Sequence, residues 1–380
     1  MKFLILAGFA DSLINFRGHL IRDLISHGFE VHAAAPQFSA STQFTLESWG
    51  CQCHPVSMAR NTISPYLDLK TCIQLILLFN QIKPHYFLAY TIKPVIYGTI
   101  IASLFRTPKI ISLITGLGYA FSKSKSDSFF RQLTKLIAQS LYKISLAHVS
   151  LIFFQNPDDF QTFKNLKLFP NTTPYVIVNG SGVDLSFYKT HTISSAQSTT
   201  PIDFLLIARL LKDKGIVEFI DSARILKYKF GDRVSFTLAG WIDHNPNSID
   251  KHFLDKAIED GVIKFLGKLD DVRPAIESAS VYVLPSYREG TPRTVLEAMA
   301  MRKPIITTDA PGCRETVTSG ENGFLIPIKS TASLVTAMER FILDPSLIET
   351  MGNSSLIIAT QKYDVHSVNA VMLNAMGIRV

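Results

Sequence analysis

The stretch Val281-Tyr-Val-Leu-Pro-Ser-Tyr-Arg-Glu-Gly-Thr-Pro-Arg-Thr-Val-Leu-Glu297 decides how the carboxyl half of the chain folds. Its four opening residues, Val281–Leu284, read as a buried strand, Pro285 to Gly290 as a turn, and Thr294–Met301 as a helix entered through Pro292. A strand, loop and helix in that order aim the unpaired N–H groups of the helix start past the carboxyl end of the strand. Those donors and the helix dipole favour an anion there. Gly290 allows close backbone approach, and the amides from Gly290 through Thr291, Pro292, Arg293 and Thr294 frame the turn, Pro292 itself lacking an N–H. Glu289 and Glu297 add acceptors for hydroxyls, such as the diols of a ribose or a hexose. Taken singly, Glu289 reads as an acid complementing the dipole and Glu297 as a solvated helical residue. The whole string reads as a site for a ligand carrying both hydroxyls and phosphate.

Upstream, Arg209-Leu-Leu-Lys-Asp-Lys214-Gly215 follows the apolar run Asp203–Ile207 and precedes the helical stretch Gly215–Tyr228. An arginine fork and a lysine point charge at the end of a buried strand suit a diphosphate. Surface cations near a helix start are common, so it is the pairing with Glu289 and Glu297 that gives the signal its weight.

Outward from these motifs, short apolar runs alternate with helical patterns along nearly the whole chain. That alternation predicts an α/β protein of two Rossmann-like, doubly wound parallel-sheet domains facing a cleft, with a helical carboxyl terminus. Strands are expected at Phe3–Ala7, Glu30–Ala34, Tyr86–Ala89, Lys109–Leu113, Leu151–Phe154 and Tyr175–Val178 in the first half. In the second half they are expected at Asp203–Ile207, Val234–Ala239, Ile263–Leu266, Val281–Leu284 and Pro304–Thr307. Helices are expected over Phe16–His27, stopped by Gly28, and over Pro65–Ile82, with Ser64 as N-cap. A Ser/Thr-rich, apolar-poor segment marks a linker. The expected domains are residues 1–190, a linker at 191–201, residues 202–360, and a helix at 361–380 returning to the first domain.

A chain of 380 residues exceeds what one core usually accommodates, in keeping with two domains. With 47% hydrophobic and 18% charged residues and no low-complexity tract, it is a packed globular protein. A net charge of +7 implies an anionic partner. Cys51, Cys53, Cys72 and Cys313 lack metal-ligand or disulfide-scaffold spacing, so reduced thiols and no metal site are expected. The start, Met-Lys-Phe-Leu-Ile-Leu-Ala-Gly, is too short an apolar run for a signal peptide and reads as a first strand. No apolar stretch reaches the roughly 18 to 20 residues of a membrane span.

Competing chemistries lack their signatures. A nicotinamide site needs a GxGxxG after the first strand, which Gly8-Phe-Ala-Asp11 does not supply; Gly116-Leu-Gly118, after the fourth strand run, lacks the third glycine. No Walker A string, HExxH or Asp-x-Asp occurs.

The motifs Asn15-Phe16-Arg17, Thr91-Ile-Lys93-Pro-Val-Ile-Tyr97-Gly98, Thr115-Gly-Leu-Gly118-Tyr-Ala-Phe121 and Phe153-Phe-Gln-Asn156-Pro-Asp-Asp159 complete a pattern with Arg209, Lys214 and Glu289 through Glu297. Over nearly its whole length the chain thus resembles the family 4 retaining glycosyltransferases of GT-B type, in particular those acting on polyprenyl-linked saccharides. The resemblance implies transfer of a sugar from a UDP-sugar to a lipid-linked saccharide, with no cofactor and no metal. It assigns the donor diphosphate to Arg209 and Lys214, the donor sugar hydroxyls to Glu289, phosphate to the amides from Gly290 to Thr294, and the ribose to Glu297. Gly116 and Gly118 would present amides to the donor sugar or to an acceptor phosphate. Where many members of the family carry a histidine near the donor sugar, Thr115 stands here. An epimerase or phosphorylase of the same architecture is the alternative within chemistry, and an inactive nucleotide-binding scaffold is the remote one.

Leu133, Leu136, Ile137, Leu141 and Ile144 share one helical face, with Arg131, Lys135 and Lys143 pointing elsewhere and Lys123 and Lys125 just before. Such an element suits either an ordinary helix packed on the first sheet or peripheral attachment to anionic lipid on the cytoplasmic face of an inner membrane. Arg17 and Lys93 are further candidates for the acceptor or membrane side. Nucleic acid is not expected, because no basic and aromatic interleaving accompanies the charge.

Overall fold

The structure is a computed structural model that describes residues 1–59, 64–117, 129–189, 201–242 and 247–379, the side chains of residues 129–131 apart. They form two compact units, Met1–Ser181 with His366–Val380, and Gly182–Val365. The segment read as a linker lies outside the described residues except for Pro201.

The first unit holds seven parallel strands: β1 (Lys2–Leu6), β2 (Glu30–Ala35), β3 (Gln52–Pro55), β4 (Tyr86–Tyr90), β5 (Lys109–Ile114), β6 (Leu151–Phe154) and β7 (Tyr175–Ile177), ordered β3-β2-β1-β4-β5-β6-β7. The order reverses beside β1, the switch point of a doubly wound sheet. Phe3, Leu4, Ile5 and Leu6 are all fully buried, because alternate residues face cores on opposite sides. Burying one such side chain stabilises the fold by about 1.5–3 kcal/mol. One side is covered by α3 (Pro65–Ile82), the π-helical turn Pro94–Gly98 with α4 (Thr99–Leu104), and α5 (Phe129–Leu146). The other is covered by α1 (Asp11–Ser26) and α13 (Val365–Ala375), whose Met372 and Leu373 pack with Leu20 and Leu24. Asn369 Nδ2 donates to Asp23 Oδ2 at 2.7 Å across that contact.

The second unit holds six parallel strands: β8 (Ile202–Ile207), β9 (Val234–Ala239), β10 (Lys264–Phe265), β11 (Val281–Leu284), β12 (Ile305–Thr308) and β13 (Gly323–Ile326), ordered β10-β9-β8-β11-β12-β13. Here the order reverses between β8 and β11, so the loops after these two strands are neighbours. Those are the loops that carry Arg209 with Lys214, and Glu289 through Thr294.

The expected strands and helices are present, with ends shifted by a few residues. Strands β3 and β13, and the helix turn of α1 before Phe16, were not expected. Gly28 takes φ +78° just past α1, the left-handed stop that its position implied. Ser64 precedes α3 in extended conformation, yet its side chain makes no cap hydrogen bond; Pro65 at the first helical position leaves one fewer N–H to satisfy.

Candidate active site

The loop after β8 runs through Arg209 into a single 3-10 turn, Lys212–Lys214, and then into α7 (Ile216–Phe230). The loop after β11 runs through Glu289 into α10 (Arg293–Ala300). Backbone contacts stitch the two together: Tyr287 N–H donates to Asp213 O at 2.8 Å, and Ser286 Oγ donates to the same oxygen at 3.1 Å. Gly215 sits between them at φ +71°, and a Cβ there would lie 2.3 Å from Pro285 O. Only glycine fits this approach.

The stitching brings Lys214 and Glu289 together: Lys214 Nζ donates to Glu289 Oε1 at 2.5 Å, with 16% of each side chain exposed. A third loop, after β12, holds Glu289 from behind. Glu289 N–H donates to Pro311 O at 2.9 Å, and a Cβ on Gly312, at φ +79°, would lie 2.2 Å from Glu289 O. The carboxylate is therefore placed by backbone packing as well as by its lysine. Arg209 lies half-buried in the loop after β8.

Pro292 occupies the cap position, and α10 starts at Arg293, one residue earlier than the sequence pattern suggested. Glu297 is 5% exposed, which removes the reading of a solvated helical residue. Its Oε1 accepts from Arg293 Nε and from the Tyr188 hydroxyl, each at 2.7 Å. No hydrogen bond reaches Oε2 from the described residues. Burial, reinforced by the negative charge of Glu297, pushes the Tyr188 phenol above its ordinary range. Burial, with Glu289 adding to it, likewise pushes the Cys313 thiol up to about 12, so this cysteine stays a neutral packing residue. Gly290, Thr291 and Thr294 are half-buried around the start of α10. The second unit thus assembles two carboxylates, each tied to a cation, at the carboxyl ends of adjacent strands beside a helix N-terminus.

In the first unit, Gly116 follows β5 at φ +108°, half-buried, whereas Gly118, Lys123 and Lys125 lie outside the described residues, as does the side chain of Arg131. Arg17 is 2% exposed, with its guanidinium over the Tyr90 ring at 5.4 Å, so it offers nothing to a lipid surface. Lys93 is held by Asp68 at 2.5 Å and is largely buried. Lys135 is half-buried on α5. The apolar face of α5 does not pack on the sheet, contrary to the ordinary-helix reading: Leu133, Leu136, Ile137 and Ile144 are exposed, Leu141 is half-buried, and Tyr142 and Leu146 face the core. No described helix is long and apolar enough to cross a membrane.

Two residues of the site have no signal in the motifs. Tyr188 lies 109 positions from its partner Glu297, and Gly312 sits in a loop with no recognisable spacing to Glu289. In the sequence only the turn-forming string Asn179-Gly-Ser-Gly182 stands near Tyr188, and it does not point to Glu297.

Two doubly wound parallel-sheet units, one of them placing paired cations and carboxylates at its switch point, define a protein of two Rossmann-like domains. Family comparison agrees: residues 5–156 match the Glycosyl transferase 4-like family and residues 189–355 match Glycosyl transferases group 1, and the chain is a glycosyltransferase of this kind, with the GT-B fold. It is 27% identical, over 88% of each chain, to the N,N'-diacetylbacillosaminyl-diphospho-undecaprenol alpha-1,3-N-acetylgalactosaminyltransferase of Campylobacter jejuni. It is also 27% identical to the capsular polysaccharide biosynthesis glycosyltransferase CapM of Staphylococcus aureus, over 79% of this chain and 78% of that one. Among solved structures, the fold matches sucrose-phosphate synthase from Thermosynechococcus elongatus with a TM-score of 0.81 at 14% identity, over 98% of each chain. It matches Anabaena HepE in complex with UDP and glucose with a TM-score of 0.77 at 18% identity, over 99% of each.

Proposed function

We propose that the protein transfers a sugar, an N-acetylated or deoxy hexosamine, from a UDP-sugar to a polyprenyl-diphosphate-linked saccharide in the assembly of a surface polysaccharide or glycan, with retention of anomeric configuration and without a metal or cofactor. The observation that carries this is the meeting, in the second unit, of Lys214 with Glu289 where the loops after β8 and β11 touch, and of Arg293 and Tyr188 with Glu297 at the start of α10. The names of the relatives support the acceptor class, the first of them acting on a diphospho-undecaprenol carrier.

In this reading Arg209 and Lys214 take the charge that develops on the departing diphosphate, the step where preorganised donors help most. Glu289 orients Lys214 by accepting from its ammonium group. Glu289 also accepts from donor-sugar hydroxyls through the oxygen its lysine does not occupy. Glu297 accepts the ribose hydroxyls at Oε2 while Arg293 and Tyr188 hold Oε1. The departing phosphate takes the proton of the attacking hydroxyl on the same face, which removes the need for a side-chain base. The first unit binds the acceptor, and the enzyme works peripherally at the cytoplasmic face of the inner membrane.

A panel of nucleotide sugars, incubated with and without lipid-linked saccharides and followed by nucleoside diphosphate release, tests the proposal. Acceptor-dependent UDP release with an α-linked product from an α-linked donor is expected. Interconversion of the nucleotide sugar without acceptor would replace transfer with epimerisation, and UDP binding with no product from any pair would leave a scaffold.

A further inference from the structure

In the first unit, the helix layer of α3, α4 and α5 turns apolar surface outward. On α3, Tyr66, Leu69, Ile73 and Leu77 recur three or four residues apart and are all exposed, Leu77 to 63%, while Leu75, Leu78 and Phe79 fill the core. On α5 the outward residues are Leu133, Leu136, Ile137 and Ile144, Leu136 to 60%. A helix on the surface of a globular protein normally shows its polar face to water, and neighbouring exposed apolar stripes of this kind mark a docking surface.

The charge around the stripes selects the occupant. Between residues 60 and 157 the sequence has 11 Lys or Arg against two acids, Asp68 and Asp127. Asp68 is buried against Lys93, so α3, α4 and α5 expose no carboxylate among the described residues. Lys70 on α3 and Lys143 on α5 stand exposed, and Arg106 and Lys109 are exposed just beyond α4. A second copy meeting this face through its own would bring cation against cation. An anionic bilayer satisfies both components at once, apolar side chains entering the acyl boundary and cations meeting headgroups. Neither helix spans a bilayer, so both would lie in its plane.

We infer that the outward faces of α3 and α5 form the lipid-docking surface of the protein, seated in the interface of an anionic membrane. This rests on the lipid-linked acceptor proposed above for its purpose, but not for its evidence. It differs from a purely electrostatic contact through residues 123–135, since α3 and α5 each contribute an exposed apolar stripe.

The test uses the full chain with vesicles of phosphatidylethanolamine and phosphatidylglycerol, or of phosphatidylcholine alone. Wild type is expected to co-float with the anionic vesicles and to bind phosphatidylcholine more weakly. Ile73→Glu with Leu77→Glu, and separately Leu136→Glu with Ile137→Glu, should each lower the partition coefficient at least about tenfold. These positions are exposed, and an unchanged circular dichroism spectrum and melting temperature will show the variants folded. In a Leu77→Trp variant, emission should shift to the blue on anionic vesicles and be quenched by brominated lipid. Turnover with a short-chain, water-soluble acceptor should be the same in the variants as in wild type. Wild type that stays off anionic vesicles overturns the inference, as do glutamate variants that bind like wild type, or a wild-type dimer that the variants dissolve with no change in lipid binding. Vesicle binding without any transfer to a soluble acceptor would instead refute the enzymatic reading and leave this surface standing.

Discussion

Replacing Lys214 by Met and Glu289 by Gln, singly and together, measures whether the pair works as one unit. At the observed 2.5 Å separation, two unit charges in an effective dielectric of about 20 attract by roughly 7 kcal/mol, an upper bound on the pair. Taking both groups from water offsets most of that. Since 16% of each side chain is still exposed, water screens a further part. A net coupling of about 1–2 kcal/mol is therefore expected from a double-mutant cycle in urea. Each single variant should lose more stability than half of the double variant's loss, because each leaves a charge without its partner. In turnover, Lys214→Met should cost about 10² to 10³ and weaken UDP binding, whereas Glu289→Gln should cut the rate while UDP binds as tightly or more tightly. On the proposed roles that split follows, because Glu289 and a bound diphosphate would share the same lysine. Additive losses in the cycle, or wild-type turnover by Lys214→Met, would refute the reasoning.

Two further outcomes follow from buried groups in the second unit. Tyr188→Phe removes one of two donors on Glu297 Oε1 and leaves Arg293 in place; a loss of about 1.5 kcal/mol corresponds to roughly tenfold weaker UDP binding with kcat little changed, and calorimetry giving an unaltered UDP affinity would show that Tyr188 does not position Glu297. Lys303 donates to Glu277 O at 2.9 Å and Ala279 O at 2.6 Å, and burial lowers its pKa to about 8 from 10.5. The folded chain therefore binds this proton less tightly than the unfolded chain, so stability should rise with pH between about 8 and 10.5. Lys303→Met should lack that rise, and urea midpoints that track wild type across the window would contradict the shift.

The sheets were legible wherever a strand is buried on both faces, because such a strand must be an apolar run: Leu151–Phe154 and Val281–Leu284 were found to the residue. The edge strand β3, Gln-Cys-His-Pro, was not, since an edge needs little apolar surface and this one has little. Within the site, residue types and their places after strands singled out Lys214, Glu289 and Glu297, which the fold carries at the carboxyl ends of adjacent strands. Their mutual pairing was not legible, because Lys214 and Glu289 stand 75 residues apart and meet only through the β8 and β11 adjacency. For α5, periodicity told which residues share a face but not what that face meets. The sheet side of that helix is supplied by Tyr142 and Leu146, leaving the stripe outside.

The packing of Met372, Leu373, Met376 and Ile378 into the core of the first unit sets an order of assembly on the ribosome. Residues 1–181 emerge first, yet the side of their sheet that α1 covers lacks these four residues until all of Gly182–Val365 has been made. The second unit is contiguous and can close while the first still exposes apolar surface, a period in which chaperones or aggregation compete for the chain. Expression of the first unit alone should therefore carry residues 366–379 as an appended segment.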